Sequence, residues 1–519
     1  RSTLFPYTTL FRSRTGQRQR ESGRWDYQIQ ADEIALGAEQ FGIPVIPLDR
    51  MLAQGNFDPK RGVIVLDRFF LQAAEAQINL TGTFTQGRTS PAIKLSGRVS
   101  PMPVAFFKLI WPKFVAYGAR DWIGHRIPTG RVAGGTLNVD IPADALASLP
   151  ADGHLPQEAV DMKLDLEDLE IYYIRNLPPL RVDKAVATLV GQRFFFNVPK
   201  SAISLPSGKS VEFSDGEFII GDLRPRIPNG EVHFKSEAGA DAVLELLDQP
   251  ALHYVSALNV PMPQIDGDVQ STFSLAFPLI GDLKFKDMKL NGRSRVSDAR
   301  ATNLPGGFGV HSGNIDFDVS EKAIEARGEV KVNGLPVLVG WQRIFDAPAD
   351  RQPPLRLRTV LDEKARDEFG LKVNHLVRGG VATELTVKAG GSGRPEAHFE
   401  ANLSDADILM SSLGWRKPPG QRAVLTFDLV PLENGKIDLR DVSLQGDDLT
   451  VRGTMRLDEN RQPISFNFPT VALNQQTQLD MSGDFGSGKI WKVRVKGTSY
   501  DGRRSEEHTS ELQSQNRIS

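Results

Sequence analysis

The stretch VDMKLDLEDLEIYY, residues 160–173, alternates apolar and charged side chains from its first residue. Val160, Met162, Leu164 and Leu166 share one parity, and the residues between them are acidic or basic. Successive side chains of a β-strand point to opposite faces of a sheet. The pattern therefore predicts a strand with one apolar face and one solvated face.

The same alternation returns along most of the chain, and it defines the positions that we expect on the apolar face of a sheet. Beyond the first stretch, these candidate groove-lining positions are Ile265, Val269, Phe273, Leu275, Phe277, Ile315, Phe317, Val319, Leu385, Val387, Leu425, Phe427 and Leu429. Gly, Asn, Asp and Pro separate the runs, as in LENGK at 432–436, which carries an Asn-Gly hairpin signal. The sequence therefore predicts a mainly β fold, an elongated antiparallel meander.

Helical patterns are short, and each one lies between runs of strand pattern. They occur near residues 101–127, 239–258, 361–370 and 403–413. Insertions so few and so irregularly placed do not supply the crossovers of a parallel sheet. Because no linker interrupts residues 14–503, we expect one continuous body whose strands stack on their neighbours.

The two ends of the chain do not share this pattern. TLFPYTTLFRS at 3–13 and RSEEHTSELQS at 504–514 resemble in-frame translations of adapter oligonucleotides used for DNA sequencing. Segments of this kind carry no information about the native fold. We therefore expect residues 1–13 and 504–519 to be non-native tails.

The composition excludes several classes of function. The net charge is −2 without basic clusters, so there is no electrostatic footprint for nucleic acid. The chain has no cysteine, which excludes disulfides and thiolate metal sites. No continuous apolar stretch reaches the length of a membrane-spanning helix.

The sequence also lacks a pattern typical of catalysis. The histidines show no metal-ligand spacing, and no nucleophile motif is present. Pairs of carboxylates fall on the solvated parity of strands or at an expected helix start, where acids are favourable without a catalytic role. These pairs are Asp266/Asp268, Asp316/Asp318 and Asp405/Asp407. We therefore expect no catalytic residue, no metal site, no cofactor and no enzymatic activity.

The predicted apolar face of the sheet must be covered by other apolar groups. One solution is a long sheet curled into a groove that is lined with lipid acyl chains, where each buried methylene contributes roughly 0.8 kcal/mol. The other is a sheet that packs shut on itself and forms a closed structural body. Periodicity alone leaves both solutions open.

One helical insert carries a family resemblance. The segment LSGRVSPMPVAFFKLIWPKFVAYGARDWIGHRIPTGRVAGGTLNVDIP at 95–142 resembles the central region of the YhdP branch of AsmA-like proteins, and the strands at 170–204 continue the similarity. The motif residues that carry the resemblance are Trp111, Pro112, Ala119, Arg120 and Trp122.

The resemblance implies a β-groove that carries phospholipid between the inner and outer membranes of a bacterial envelope. It further implies a periplasmic location, anchorage to the inner membrane through an N-terminal segment outside this sequence, and contacts with phospholipid acyl chains and outer-membrane components. The alternative function is a structural or assembly-modulating envelope protein with a closed β core and no lipid cargo.

Overall fold

The structure is a computed structural model, and it is mainly β with a few short helices. It describes residues 18–499, except 20–22, 39–42, 112–116, 148–155, 157, 175, 253–263, 282, 305–307, 390–394, 412–414, 433–434 and 486–490. The two tails expected to be non-native lie outside the described residues, as does Pro112.

The strands follow one another closely along the chain. They are β1 Arg18–Gln19, β2 Trp25–Ala38, β3 Ile43–Asp58, β4 Val63–Ala73, β5 Ala76–Thr85, β6 Ala92–Val99, β7 Met102–Pro103, β8 Thr129–Ile141, β9 Val160–Ile171, β10 Leu180–Val190, β11 Arg193–Ser204, β12 Ser210–Ile220, β13 Asn229–Gly239, β14 Gln264–Pro278 and β15 Lys289–Leu304. They continue as β16 Phe308–Ser320, β17 Ala323–Val332, β18 Leu335–Ile344, β19 Leu355–Leu361, β20 Val377–Arg378, β21 Val381–Ala389, β22 Pro395–Asn402, β23 Asp407–Met410, β24 Trp415–Lys417, β25 Ala423–Pro431, β26 Ile437–Gly446, β27 Leu449–Leu457, β28 Pro463–Leu473, β29 Thr477–Phe485 and β30 Trp491–Ser499. The helices whose full bounds lie within the described residues are α1 Val104–Ile110, α2 Tyr117–Arg126, α3 Ala240–Leu247 and α4 Glu363–Glu368, and 3-10 turns occur at Phe285–Asp287 and Ala349–Arg351.

The contacts divide the chain into two compact units, whereas the sequence shows no boundary. Unit 1 comprises Arg1–Met262 and Asp268–Ser294, and unit 2 comprises Pro263–Gly267 and Arg295–Ser519. In each unit, strands pair antiparallel with strands that are near them in sequence, which confirms the predicted meander. A small second sheet in unit 2 is formed by β20, β23 and β24.

The apolar face of unit 1 forms a packed core. Val160, Leu164 and Leu166 of β9 are buried, and Leu164 is only 2 % exposed. Side chains of β8, β10 and β11 and of α1 join them in one cluster. Residues 160–166 therefore have one apolar, buried face, as their alternation predicts. Other side chains of unit 1 cover that face.

In several strands, the buried side chains switch from one parity to the other partway along the strand. Asp168 has a φ of 53° within β9, and the buried positions shift from Leu166 to Leu169 across it. A similar irregularity occurs at Asp215 of β12, where φ is 51° and the register with β13 shifts. These are β-bulges, which bend a strand and increase its twist. Asp is one of the few side chains that enter the left-handed region readily.

Three of the four expected helical inserts contain helices. Helices α1 and α2 lie within 101–127, α3 within 239–258 and α4 within 361–370, where Asp362 caps α4 by accepting a bond from the Ala365 nitrogen. Helix α3 ends at Leu247, and residues 253–258 of the expected insert lie outside the described residues.

The prediction of a helix at 403–413 is wrong at residues 407–410, and residues 412 and 413 of this insert lie outside the described residues. Residues Asp407–Met410 form strand β23, in which Ile408 is buried. Pairing with β20 and β24 stabilises the extended conformation, and Asp407 binds Arg416 of β24 at 2.9 Å. The Asp407 carboxylate thus forms a cross-strand ion pair and does not lie at a helix start. Pairing with distant strands overrides the weak local preference of this segment for a helix.

The bulge of β9 gives a testable prediction. Asp168→Val places a β-branched residue in the left-handed region, and we expect a loss of about 1–3 kcal/mol in the free energy of unfolding. Asp168→Gly should be nearly neutral, because glycine adopts positive φ without strain. Urea unfolding measures both variants, with Asp165→Val on the exposed side of the same strand as a control. Equal losses for the valine variants at 165 and 168 would contradict this role of Asp168.

Candidate functional site: a half-exposed apolar sheet face in unit 2

The register of unit 2 aligns apolar side chains of one face into rows that cross its strands. The first row joins positions that are direct cross-strand neighbours from β18 to β25. It consists of Val339, Leu357, Leu385, Phe399 and Phe427. Phe399 and Phe427 stack with ring centroids 4.8 Å apart, as cross-strand aromatic pairs do.

A second row runs beside the first and extends further across the sheet. It begins on β19 and reaches β28 without a polar side chain. Its members are Leu355, Val387, Ala397, Leu429, Leu439, Met455 and Phe466. Apolar side chains therefore adjoin one another from strand to strand, which is the result of the two-residue period on every strand.

The two rows are not sealed as the core of unit 1 is. Their side chains are half-buried in unit 2, whereas the buried cluster of this unit lies at one end of the strands, around Val381, Ala401 and Ala423. Trp415 of the small sheet packs into that cluster, and its indole nitrogen donates to Asn474 at 2.9 Å. The apolar face is thus buried at one end of the strands and half-buried along the rest of their length.

The opposite face of the same strands is charged. Arg358 contacts Glu384 at 2.7 Å, and His398 contacts Asp428 at 2.6 Å. Arg456 binds Asp438 across β26 and β27, and this hydrogen bond lowers the pKa of the Asp438 carboxyl below its ordinary value. Exposed pairs of this kind contribute little stability, and they keep this face solvated.

The sequence-predicted positions fall into two environments. Val160, Leu164, Leu166 and Val269 are buried, and Met162 packs against the core of unit 1. The others are half-buried, and this set consists of Ile265, Phe273, Leu275, Phe277, Ile315, Phe317, Val319, Leu385, Val387, Leu425, Phe427 and Leu429. Only the second set offers apolar surface to a ligand without rearrangement.

Sequence reasoning missed several members of the rows. Phe399 lies in PEAHFEAN, where alternation with two alanines gives a weak apolar pattern. Val339 was missed because β18 carries Leu338 on its charged face, 54 % exposed, so that the run LPVLV does not alternate. The cross-strand register, and not the strand pattern, assigns both residues to the rows.

The motif residues of the helical insert have structural partners. Trp111 is buried at the end of α1, and the Arg120 Nε of α2 donates to its carbonyl at 2.9 Å. Ala119 and Trp122 are in α2. The Trp and Arg of the motif therefore join the two helices to each other.

Two further findings concern the described residues alone. Within them, no group of His, Cys, Asp and Glu side chains is arranged to hold a metal ion. None of their helices combines the length and the apolarity that crossing a membrane requires.

The fold and the rows define a mainly β protein with an extended apolar sheet surface backed by a charged face. Comparison with protein-family models gives no match, and comparison with curated proteins gives no significant match. The functional interpretation of this surface therefore rests on the geometry of the sheet.

The exposure of this face predicts binding of an apolar dye. Anilinonaphthalene sulfonate should bind the folded protein, and Phe427→Ser should reduce its fluorescence several-fold because the aromatic stack is removed from the rows. Leu338→Ser is the control, since it removes an exposed apolar side chain from the charged face of the same sheet. Equal effects of the two substitutions would show that the dye does not select the apolar rows.

Proposed function

We propose that this chain is a fragment of a periplasmic bridge-like protein that carries phospholipid on an apolar β-groove between the inner and outer membranes. The observation that supports it best is the second row, from Leu355 on β19 to Phe466 on β28. Half-buried apolar side chains on adjacent strands offer a surface on which acyl chains lose contact with water, at roughly 0.8 kcal/mol per methylene.

The direction of the rows suits movement of an acyl chain. Adjacent strands are about 4.8 Å apart, so each step along a row brings the chain to another apolar side chain at that spacing. No charged residue stands between these steps, because the charges occupy the other face. A lipid could therefore move across the strands without placing its acyl chains against a charge.

The location and the partners rest on the sequence resemblance. The segment 95–142 resembles the YhdP branch of AsmA-like proteins, and Trp111 and Arg120 of that segment form a structural contact. On the basis of this resemblance we propose for the protein a periplasmic location, anchorage to the inner membrane, and phospholipid and outer-membrane components as partners. Its function would reside in a surface and not in a catalytic centre.

The second candidate is a structural or assembly-modulating envelope protein with a closed core and no lipid cargo. The core of unit 1 favours it, because Leu164 is buried in one cluster with side chains of α1 and of adjacent strands. Under this alternative the half-exposed face of unit 2 would be covered by protein and not by lipid.

Lipid extraction distinguishes the two functions. Residues 14–503, purified without detergent and analysed by mass spectrometry, should carry phospholipid in stoichiometric amount. Leu385→Asp should reduce the bound lipid several-fold, because it places a charge in the first row, where a carboxylate against hydrocarbon is strongly unfavourable.

The matched control is Thr386→Asp on the same strand, whose side chain points to the charged face opposite His398. It should retain the lipid of the unsubstituted protein. A folded protein that stays free of lipid after incubation with phospholipid vesicles would contradict lipid transport and favour the closed structural body.

A further inference from the structure

The charged face of unit 2 contains a cavity of its own. The cavity encloses about 500 Å³ and crosses β17, β18, β19, β21 and β22. Leu338 of β18 pairs with Arg358 of β19, and Arg358 pairs with Glu384 of β21. These three lining side chains belong to the parity opposite to the apolar rows. The volume of the cavity is typical of small-molecule sites, which range from about 300 to 1,000 Å³.

Apolar side chains in this cavity break the polar pattern of the charged face. Leu338 is 54 % exposed and Val360 is 58 % exposed, and both line the cavity. Pro336 and Ala382, the second of which is the cross-strand neighbour of Val360, are exposed beside them. Side chains this exposed remove little apolar area from water and so contribute little to folding. Contiguous exposed apolar surface with a polar rim is typical of an interaction site.

The rim of the cavity has an excess of negative charge. The carboxylates of Glu329, Glu384 and Glu400 line it with a single guanidinium, that of Arg358, so the lining carries a net charge of −2. Arg358 is engaged by Glu384 at 2.7 Å, and Arg356 lies 4.0 Å from the same carboxylate. The cations of this region therefore neutralise Glu384 first.

Glu400 lacks such compensation. It lies directly opposite Glu384 in the register of β21 and β22, and like charges in this position are destabilising. Glu400 and Glu329 are both exposed, and neither forms a hydrogen bond or an ion pair with another of the described residues. A bound cation would offset the repulsion between Glu384 and Glu400.

We propose that this cavity binds a primary ammonium ion that carries a short aliphatic chain. The chain lies against Leu338 and Val360, and the ammonium donates to the Glu400 carboxylate, while Glu329 adds to the attraction. Hydrogen bonds between two ionised groups are about twice as strong as neutral ones. The net charge of the lining disfavours an anion of the same size. This site goes beyond the proposed lipid surface, because it lies on the opposite face of the sheet.

The test uses pentylammonium chloride with the full chain, observed by NMR of labelled Leu and Val methyl groups at low salt. The Leu338 and Val360 signals should shift and saturate, whereas pentanol and pentanoate should bind there at least several-fold more weakly. Ethylammonium should also bind more weakly, by up to about fourfold for each methylene removed. Leu385 and Val387 of β21 report any binding to the apolar rows in the same sample.

Glu400→Gln tests the carboxylate without changing the size of the side chain. Pentylammonium should bind this variant at least several-fold more weakly. The variant should remain as stable as the unsubstituted protein, because the contact between like charges is removed. Glu396→Gln is the matched control, since Glu396 lies on the same face of the same strand, opposite Lys388 and outside the cavity lining. It changes the net charge equally and should leave the affinity unchanged.

The remaining outcomes separate this site from the proposed function. Equal affinity for pentylammonium and pentanol, or equal affinity of the two glutamine variants, would overturn the ammonium site. Shifts confined to Leu385 and Val387 would overturn it as well, while favouring the rows as the surface that takes up aliphatic chains. Shifts at Leu338 and Val360 that require Glu400, in a protein that carries no phospholipid, would support this site and count against the proposed function alone.

Discussion

The whole structure depends on one geometric constraint, which is that neighbouring side chains of a strand point to opposite faces of its sheet. Because most strands here alternate apolar and polar residues, each unit has an apolar face that must be covered. Unit 1 covers it with its own strands and with α1, whereas unit 2 covers mainly one end of its strands. The same sequence pattern thus leads to a packed core around β9 of unit 1 and to a half-buried face in unit 2.

The fold class could be predicted from the sequence because the alternation is local. The pattern at Val160–Leu166 needs no partner to be recognised, and the hydrogen-bonded register only confirms it. The segment at 403–413 could not be predicted in this way. Acids and apolar residues there fit a helix start, but β20 and β24 lie alongside and hold Asp407–Met410 extended. The sequence of one segment does not show which distant segment it pairs with.

The candidate site was predictable only in part for the same reason. Leu385 and Phe427 stand out in their own strands, yet their burial is set by what lies on the sheet and not by alternation. Leu164 has the same pattern and is sealed in a core. The bulges at Asp168 and Asp215 add a second difficulty, since each one moves the apolar side chains to the other parity within a strand. Strand periodicity indicates which residues share a face, and it does not show whether that face is open.

Coverage is therefore the property that separates the two functions considered for this protein. A closed body requires that every apolar row be covered by protein, as Phe106 and Ile110 cover Ile46 and Leu48. A lipid carrier requires that some rows be left for hydrocarbon, and the row from Leu355 to Phe466 is only half-buried. Both arrangements occur in this one chain, on sheet surfaces of similar composition. Since dispersion and burial do not distinguish a phenylalanine ring from an acyl chain of equal area, a surface that accepts one is physically suited to the other.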